Sequence, residues 1–171
     1  MPKPEINMTD YDQMILIELL YPSINGDANI QNLLGTVLFT GRCDSAKINI
    51  IKNELGAFYW YCQAIKKGHV EAKWNAGTML INGEAGLQVN IELGMRLIED
   101  SALANYCSAC LFLSDCYMDG KYGKKIDQEK SIFWQKKAWD YENIQEFDDK
   151  PIDIEKELNL KIDMPVITID K

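Results

Sequence analysis

The chain has one histidine, five prolines and 18 basic residues against 26 acidic ones, and nothing in it resembles a membrane span. Each scarcity excludes something. A bilayer-spanning helix needs about 20 consecutive apolar residues, and no run here approaches that length. The opening residues, Met1-Pro2-Lys3-Pro4-Glu5, lack the basic-then-apolar pattern of a secretory leader, so a cytoplasmic protein is expected. A net charge of -8 argues against a phosphate backbone as main partner. A lone His69 leaves no convergent four-ligand zinc set with the cysteines. The five cysteines (Cys43, Cys62, Cys107, Cys110, Cys116) are odd in number and irregularly spaced, which favours free thiols in a reducing compartment.

Catalytic constellations are equally thin. Cys107-x2-Cys110 falls inside a predicted helix, with Cys116 turned to another face, so buried thiols are expected there rather than a metal or redox centre. His69 follows Gly68 at a helix end, where a cation offsets the helix dipole. Gly120-Lys121-Tyr122-Gly123-Lys124-Lys125 lacks the order of a phosphate loop and follows a helix, so it reads as a turn with a solvated basic edge. Adjacent carboxylates such as Glu99-Asp100 face apart on a helix and cannot share a substrate. No nucleophile, base and orienting group can be assembled. The expectation is a protein that is not an enzyme and needs no cofactor or metal.

What the chain does have is repetition. Ala72, Ala76-Gly77, Leu80, Gly83, Gly86 and Asn90 recur 37 residues later as Ala109, Leu113-Ser114, Tyr117, Gly120, Gly123 and Asp127. Gly94, Leu97 and Ser101 recur as Ser131, Trp134 and Ala138. A fixed period of this length marks a stacked repeat. An upstream copy places Leu34-Gly35, Leu38 and Gly41 at an offset of 42, and Ala57, Trp60, Ala64 and Gly68 at 37, so five residues are inserted between Gly41 and Asn53. Ile48, Ile50 and Ile51 suggest that the insertion packs on the body.

Each copy reads as two helices. The first are expected at about 29–40, 71–82 and 108–119; the second at about 53–67, 90–104 and 127–141. The Gly-x2-Gly pairs between them supply positive φ, and Asn90 and Asp127 supply caps. The small residues Ala57/Gly94/Ser131 and Ala64/Ser101/Ala138 allow close helix crossings, flanked by Trp60 and Trp134. The expected layout is one domain: an N-terminal capping helix within 1–27 that starts at Thr9 or Asp10, repeats at 28–69, 70–106 and 107–140, and an acidic tail at 141–171. That tail holds a possible short helix at Ile152–Leu160, capped by Asp149 or Asp153, and a strand-like Val166–Ile169.

These residues resemble the Sel1-like repeat family, relatives of the tetratricopeptide repeats. The third copy matches at Ala109, Leu113, Tyr117, Gly120, Asp127, Trp134 and Ala138. The first matches at Leu34-Gly35, Gly41, Ala57, Trp60-Tyr61, Ala64 and Gly68, and the second at Ala72, Gly77, Gly83 and Gly86. Ser114, Asn105 and Glu142 stand where the family has glycine. The resemblance implies an all-α, α/α solenoid that binds other proteins as an adaptor or scaffold, or as an immunity protein that neutralises a bacterial toxin. It also excludes the disulfide-tied secreted subgroup, because Cys107 and Cys110 have no partner cysteine in the following helix.

In stacked helix pairs the first helices line the inner face. Helical spacing then places Asn32, Thr36, Phe39, Trp74, Thr78, Ile81, Leu111, Asp115 and Met118 in one row opposite the core positions. Its mixture of Trp, Phe, Met and Ile with polar residues is that of interface cores, so it is the expected partner-binding surface. Residues 140–171 carry ten acidic and four basic side chains. Asp148 and Asp149 in this stretch either contact a basic partner surface or are simply solvated.

Overall fold

A computed structural model of the chain describes residues 23–43, 48–139 and 152–165. Within them the chain forms three antiparallel helix pairs: α1 (Ala28–Thr40) with α2 (Glu54–Ile65), α3 (Val70–Asn82) with α4 (Ile91–Leu103), and α5 (Cys107–Asp119) with α6 (Gln128–Trp139). Successive pairs stack through α2 on α3 and α4 on α5. A four-residue helix, α7 (Ile154–Glu157), follows. The architecture is therefore the all-α solenoid expected, with the ends of the six repeat helices within two residues of those read from the sequence and α7 shorter than the expected Ile152–Leu160. The N-terminal helix, Asp148, Asp149 and the Val166–Ile169 segment lie outside the described residues.

The turns repeat because the same backbone demands recur. Each first helix ends on a left-handed glycine (Gly41, Gly83, Gly120) whose N–H returns to the last turn. Each second helix then begins on a side-chain cap: Asn53 accepts from the Gly56 N–H, Asn90 from Leu93 and Asp127 from Lys130, at 2.8–3.0 Å. The backbone N–H groups of Asn53, Asn90 and Asp127 in turn donate to the carbonyls of Leu38, Leu80 and Tyr117. The five-residue insertion is thus bypassed. Arg42–Cys43 (β1) pairs antiparallel with Ile48–Asn49 (β2), the Ile50 N–H donates to the Gly41 carbonyl, and the cap resumes its place. Of the isoleucines expected to pack this segment on the body, Ile50 is buried and Ile51 is exposed, and the sequence did not show the strand ladder.

The crossing point within each pair is set by small residues. A methyl added at Gly77 would lie 2.9 Å from the Gly94 carbonyl, and one added at Gly94 would lie 2.8 Å from the Gly77 carbonyl. Backbone meets backbone there. The first pair crosses Gly35 on Ala57, and the third crosses Ser114 on Ser131, whose hydroxyls are buried and hydrogen bonded at 2.9 Å. Around these contacts Leu34, Leu38, Phe58, Trp60, Ile65, Leu80 and Leu97 form one apolar cluster, and Met95, Ile98, Ala109, Cys110 and Leu113 a second. Burying each large side chain contributes about 1.5–3 kcal/mol.

Residues 152–165 lie across the second helices. Ile154 and Ile162 enter the first cluster, Glu155 pairs with Lys66 of α2, and Glu157 pairs with Arg96 of α4. The cap of α7 is Asp153, one of the two carboxylates expected for that role.

Candidate protein-binding surface

The row expected on the first helices divides. Thr36, Phe39, Trp74, Thr78 and Leu111 are half-buried, and Asp115 and Met118 are exposed. Asn32 and Ile81 are not accessible, which corrects the expectation for both. Ile81 packs its Cγ2 against the Gly94 position, because α3 and α4 cross there backbone to backbone and close that side of the helix. Asn32 accepts a hydrogen bond from the Asn75 amide at 3.1 Å, which ties α1 to α3 between repeats. Thr36 donates to the Asn32 carbonyl and shares a 3.3 Å contact with the Tyr61 hydroxyl, while Thr78 donates to the Asn75 carbonyl.

Around Trp74 the structure assembles a group that the heptad-like row did not contain. Tyr106, Trp74, Phe112 and Tyr122 follow one another with ring centroids 6.3, 5.6 and 5.5 Å apart. All four are half-buried, so each keeps part of its ring open to a partner. Phe112 occupies the position of Asn75 one period on. The amide contact between repeats one and two is thus replaced by aromatic contact between repeats two and three. The signal in the sequence was the change between copies, since Tyr106, Phe112 and Tyr122 stand 37 residues after His69, Asn75 and Ala85.

Tyr106 also breaks the capping series. Asp27 caps α1 through its carboxylate, and His69 caps α3 through Nδ1, which accepts from the Ala72 N–H at 3.2 Å. Tyr106 has the same backbone conformation but makes no side-chain cap. His69 therefore does not act as a cation at a helix C-terminus: burial pushes its pKa below the usual value, and its lone pair faces a helix N-terminus.

Cys62, Cys110 and Cys116 are buried free thiols. The Cys110 thiol donates to the Ala102 carbonyl at 3.3 Å, just as the Gln31 amide donates to the carbonyl of Ser23, again eight residues back. Burial pushes the Cys110 and Cys116 thiols up to about 11, so neither is a thiolate at neutral pH. No cluster of metal-ligating side chains occurs among the described residues. The Gly120–Lys125 turn has Gly120, Tyr122 and Gly123 at positive φ, and Lys124 is turned inward to pair with Glu99 rather than solvated. No helix among the described residues is long and apolar enough to cross a membrane.

A family model for the Sel1 repeat matches residues 31–69, 70–106 and 107–138. Among solved structures, a Sel1 repeat protein from Oxalobacter formigenes superposes with a TM-score of 0.62 at 22% identity, over 78% of this chain and 96% of that one. A protective antigen present in uropathogenic Escherichia coli strains, displaying an SLR fold, gives a TM-score of 0.61 at 25% identity. That match covers 72% of this chain and 25% of the antigen. No curated protein matches the sequence.

Proposed function

The chain belongs to the Sel1 repeat family, and from that premise we propose that it is a non-catalytic module that captures one protein partner on its first-helix side. Sel1 repeat proteins are in general protein-binding adaptors. The observation that carries the reading is the aromatic run Tyr106–Trp74–Phe112–Tyr122, which adjoins Leu111, Asp115 and Met118. Partly open aromatic rings beside an exposed carboxylate and a flexible thioether are the composition of interface anchors.

The most concrete form of this proposal is an immunity protein in the cytoplasm that occludes a bacterial toxin domain with a basic surface. The net charge of -8 and the free Cys62, Cys107, Cys110 and Cys116 thiols support it. A general adaptor or scaffold in signalling or complex assembly is the second reading, favoured by family membership itself. Tagged chain recovered from its native lysate separates the two. One stoichiometric partner held at nanomolar affinity supports neutralisation, and several micromolar partners support the adaptor. With either partner, Trp74→Ala should weaken binding by about 2 kcal/mol or more while the far-UV circular dichroism is retained. Full affinity in a folded Trp74→Ala variant would remove the aromatic run from the interface.

A further inference from the structure

Within the stack, each second helix has one stripe covered by the first helix of the next repeat. On α2 the stripe includes Phe58 and Ile65, and on α4 it includes Met95 and Ala102, all of them at most 5% exposed. The same positions one period later are Ile132 and Trp139 of α6, which are 44% and 65% exposed. Exposed Gln135 stands between them, in the place of buried Ile98, and exposed Phe133 borders the stripe. The next described segment does not cover it, because residues 152–165 pack on α2 and α4.

The open stripe also differs in charge from the covered one. Helix α4 carries Glu92, Glu99 and Asp100 against Arg96, whereas α6 carries Lys130, Lys136 and Lys137 against Glu129. Glu99 of α4 pairs with Lys124 of the next repeat, and its counterpart on α6 is the exposed Lys136, which, like the neighbouring Lys125, joins no ion pair among the described residues. Lys130 is engaged with Asp127, and Lys137 is turned to the α5 side of the helix, near Cys110. Beside the open stripe the charge is thus reversed, from the Glu99 carboxylate to the Lys136 ammonium. We infer that the Ile132–Trp139 stripe of α6 is a docking site for an acidic amphipathic helix of a protein partner, seated on α6 as α5 is seated on α4. The apolar stripe continues the inter-repeat interface, Trp139 is its anchor, and Lys136 selects a carboxylate on the incoming helix. This site is separate from the aromatic run on the first helices.

The test uses the whole chain and a fluorescent, N-acetylated peptide with the sequence of α5, its cysteines changed to alanine and the exposed Ser108 and Met118 to glutamate. A second peptide has lysine at those two positions and in place of both aspartates. The acidic peptide should bind 1:1 in the micromolar range, at least about tenfold more tightly than the basic one, and more weakly at higher salt. Ile132→Ala with Trp139→Ala should cost at least about tenfold in affinity. Lys136→Glu should cost several-fold. These variants replace accessible side chains, so an unchanged unfolding midpoint keeps the comparison valid. Equal binding of the two peptides, or binding indifferent to these variants, overturns the proposal. So does a dimer in sedimentation that Ile132→Ala with Trp139→Ala dissolves, since the occupant is then a second copy. Peptide binding that requires Tyr141, Ile144 and Phe147 to be changed to serine also overturns it, by assigning the stripe to the chain's own connector.

Discussion

Asp27, His69 and Tyr106 hold one backbone conformation at the start of the three first helices, with φ near -70° and ψ near 114°. The backbone therefore tolerates three side chains of different capping power, and the choice among them has consequences. Neutral His69 is the one that titrates near physiological pH. Its folded pKa is lowered by burial, and protonation would also place a positive charge at a helix N-terminus and abolish the Nδ1 acceptor. The unfolded chain binds the proton more readily, so stability rises with pH through this window. It is lost as the pH falls from about 6.5, the ordinary imidazole value, towards the lower folded pKa. Urea unfolding measured between about pH 7.5 and 5.5 should show this slope, and His69→Asn, which keeps a capping oxygen, should flatten it. Because His69 is the only histidine, a slope that survives the substitution would have to come from carboxylates.

At the scale of helix pairs, the crossing points obey one rule with three solutions: Gly35 on Ala57, Gly77 on Gly94, and Ser114 on Ser131. The third solution adds two hydroxyls to a buried site and pairs each with the other. Ser114→Ala and Ser131→Ala should each cost about 1–2 kcal/mol, because one buried hydroxyl loses its partner. The double variant should cost less than the sum, and a double-mutant cycle of denaturant unfolding reads the difference. Additive losses would mean that the two hydroxyls do not depend on one another. These columns were legible in the sequence, as were the left-handed glycines and the Asn90 and Asp127 caps, because each follows from a local demand repeated at 37 residues. Asn105 shows the limit of reading a consensus: it replaces Gly68 and keeps a φ of 63°, a conformation asparagine tolerates. Burial of Asn32 and Ile81 was not legible. Helical spacing assigns a residue to a side of its own helix, but only the approach of the neighbouring helix decides whether that side is closed. The aromatic run was missed for the same reason, since Tyr106 and Tyr122 belong to turns and a helical row contains only helix positions.

For the molecule as a whole, the acidic C-terminal region reads differently once its contacts are known. Asp153 and Glu155 face Lys66, and Glu157 faces Arg96, so part of the charge expected for a basic partner is used within the chain. These pairs are partly exposed and individually contribute about 1 kcal/mol or less. Ile154, fully buried in the cluster that spans repeats one and two, contributes more. Ile154→Ala should therefore destabilise the chain by about 2–4 kcal/mol, whereas Glu157→Gln should change stability by less than about 1 kcal/mol. Denaturant unfolding distinguishes the two, and a large loss in Glu157→Gln would make the segment an electrostatic clasp rather than an apolar one. Since residues 152–165 lie on the second helices, loosening them with Ile154→Ala should leave affinity for a partner on the aromatic run unchanged under conditions where the variant is folded. A parallel loss of stability and affinity would instead join the two faces of the solenoid through its core, where Leu80 and Leu97 lie in the same cluster as Ile154.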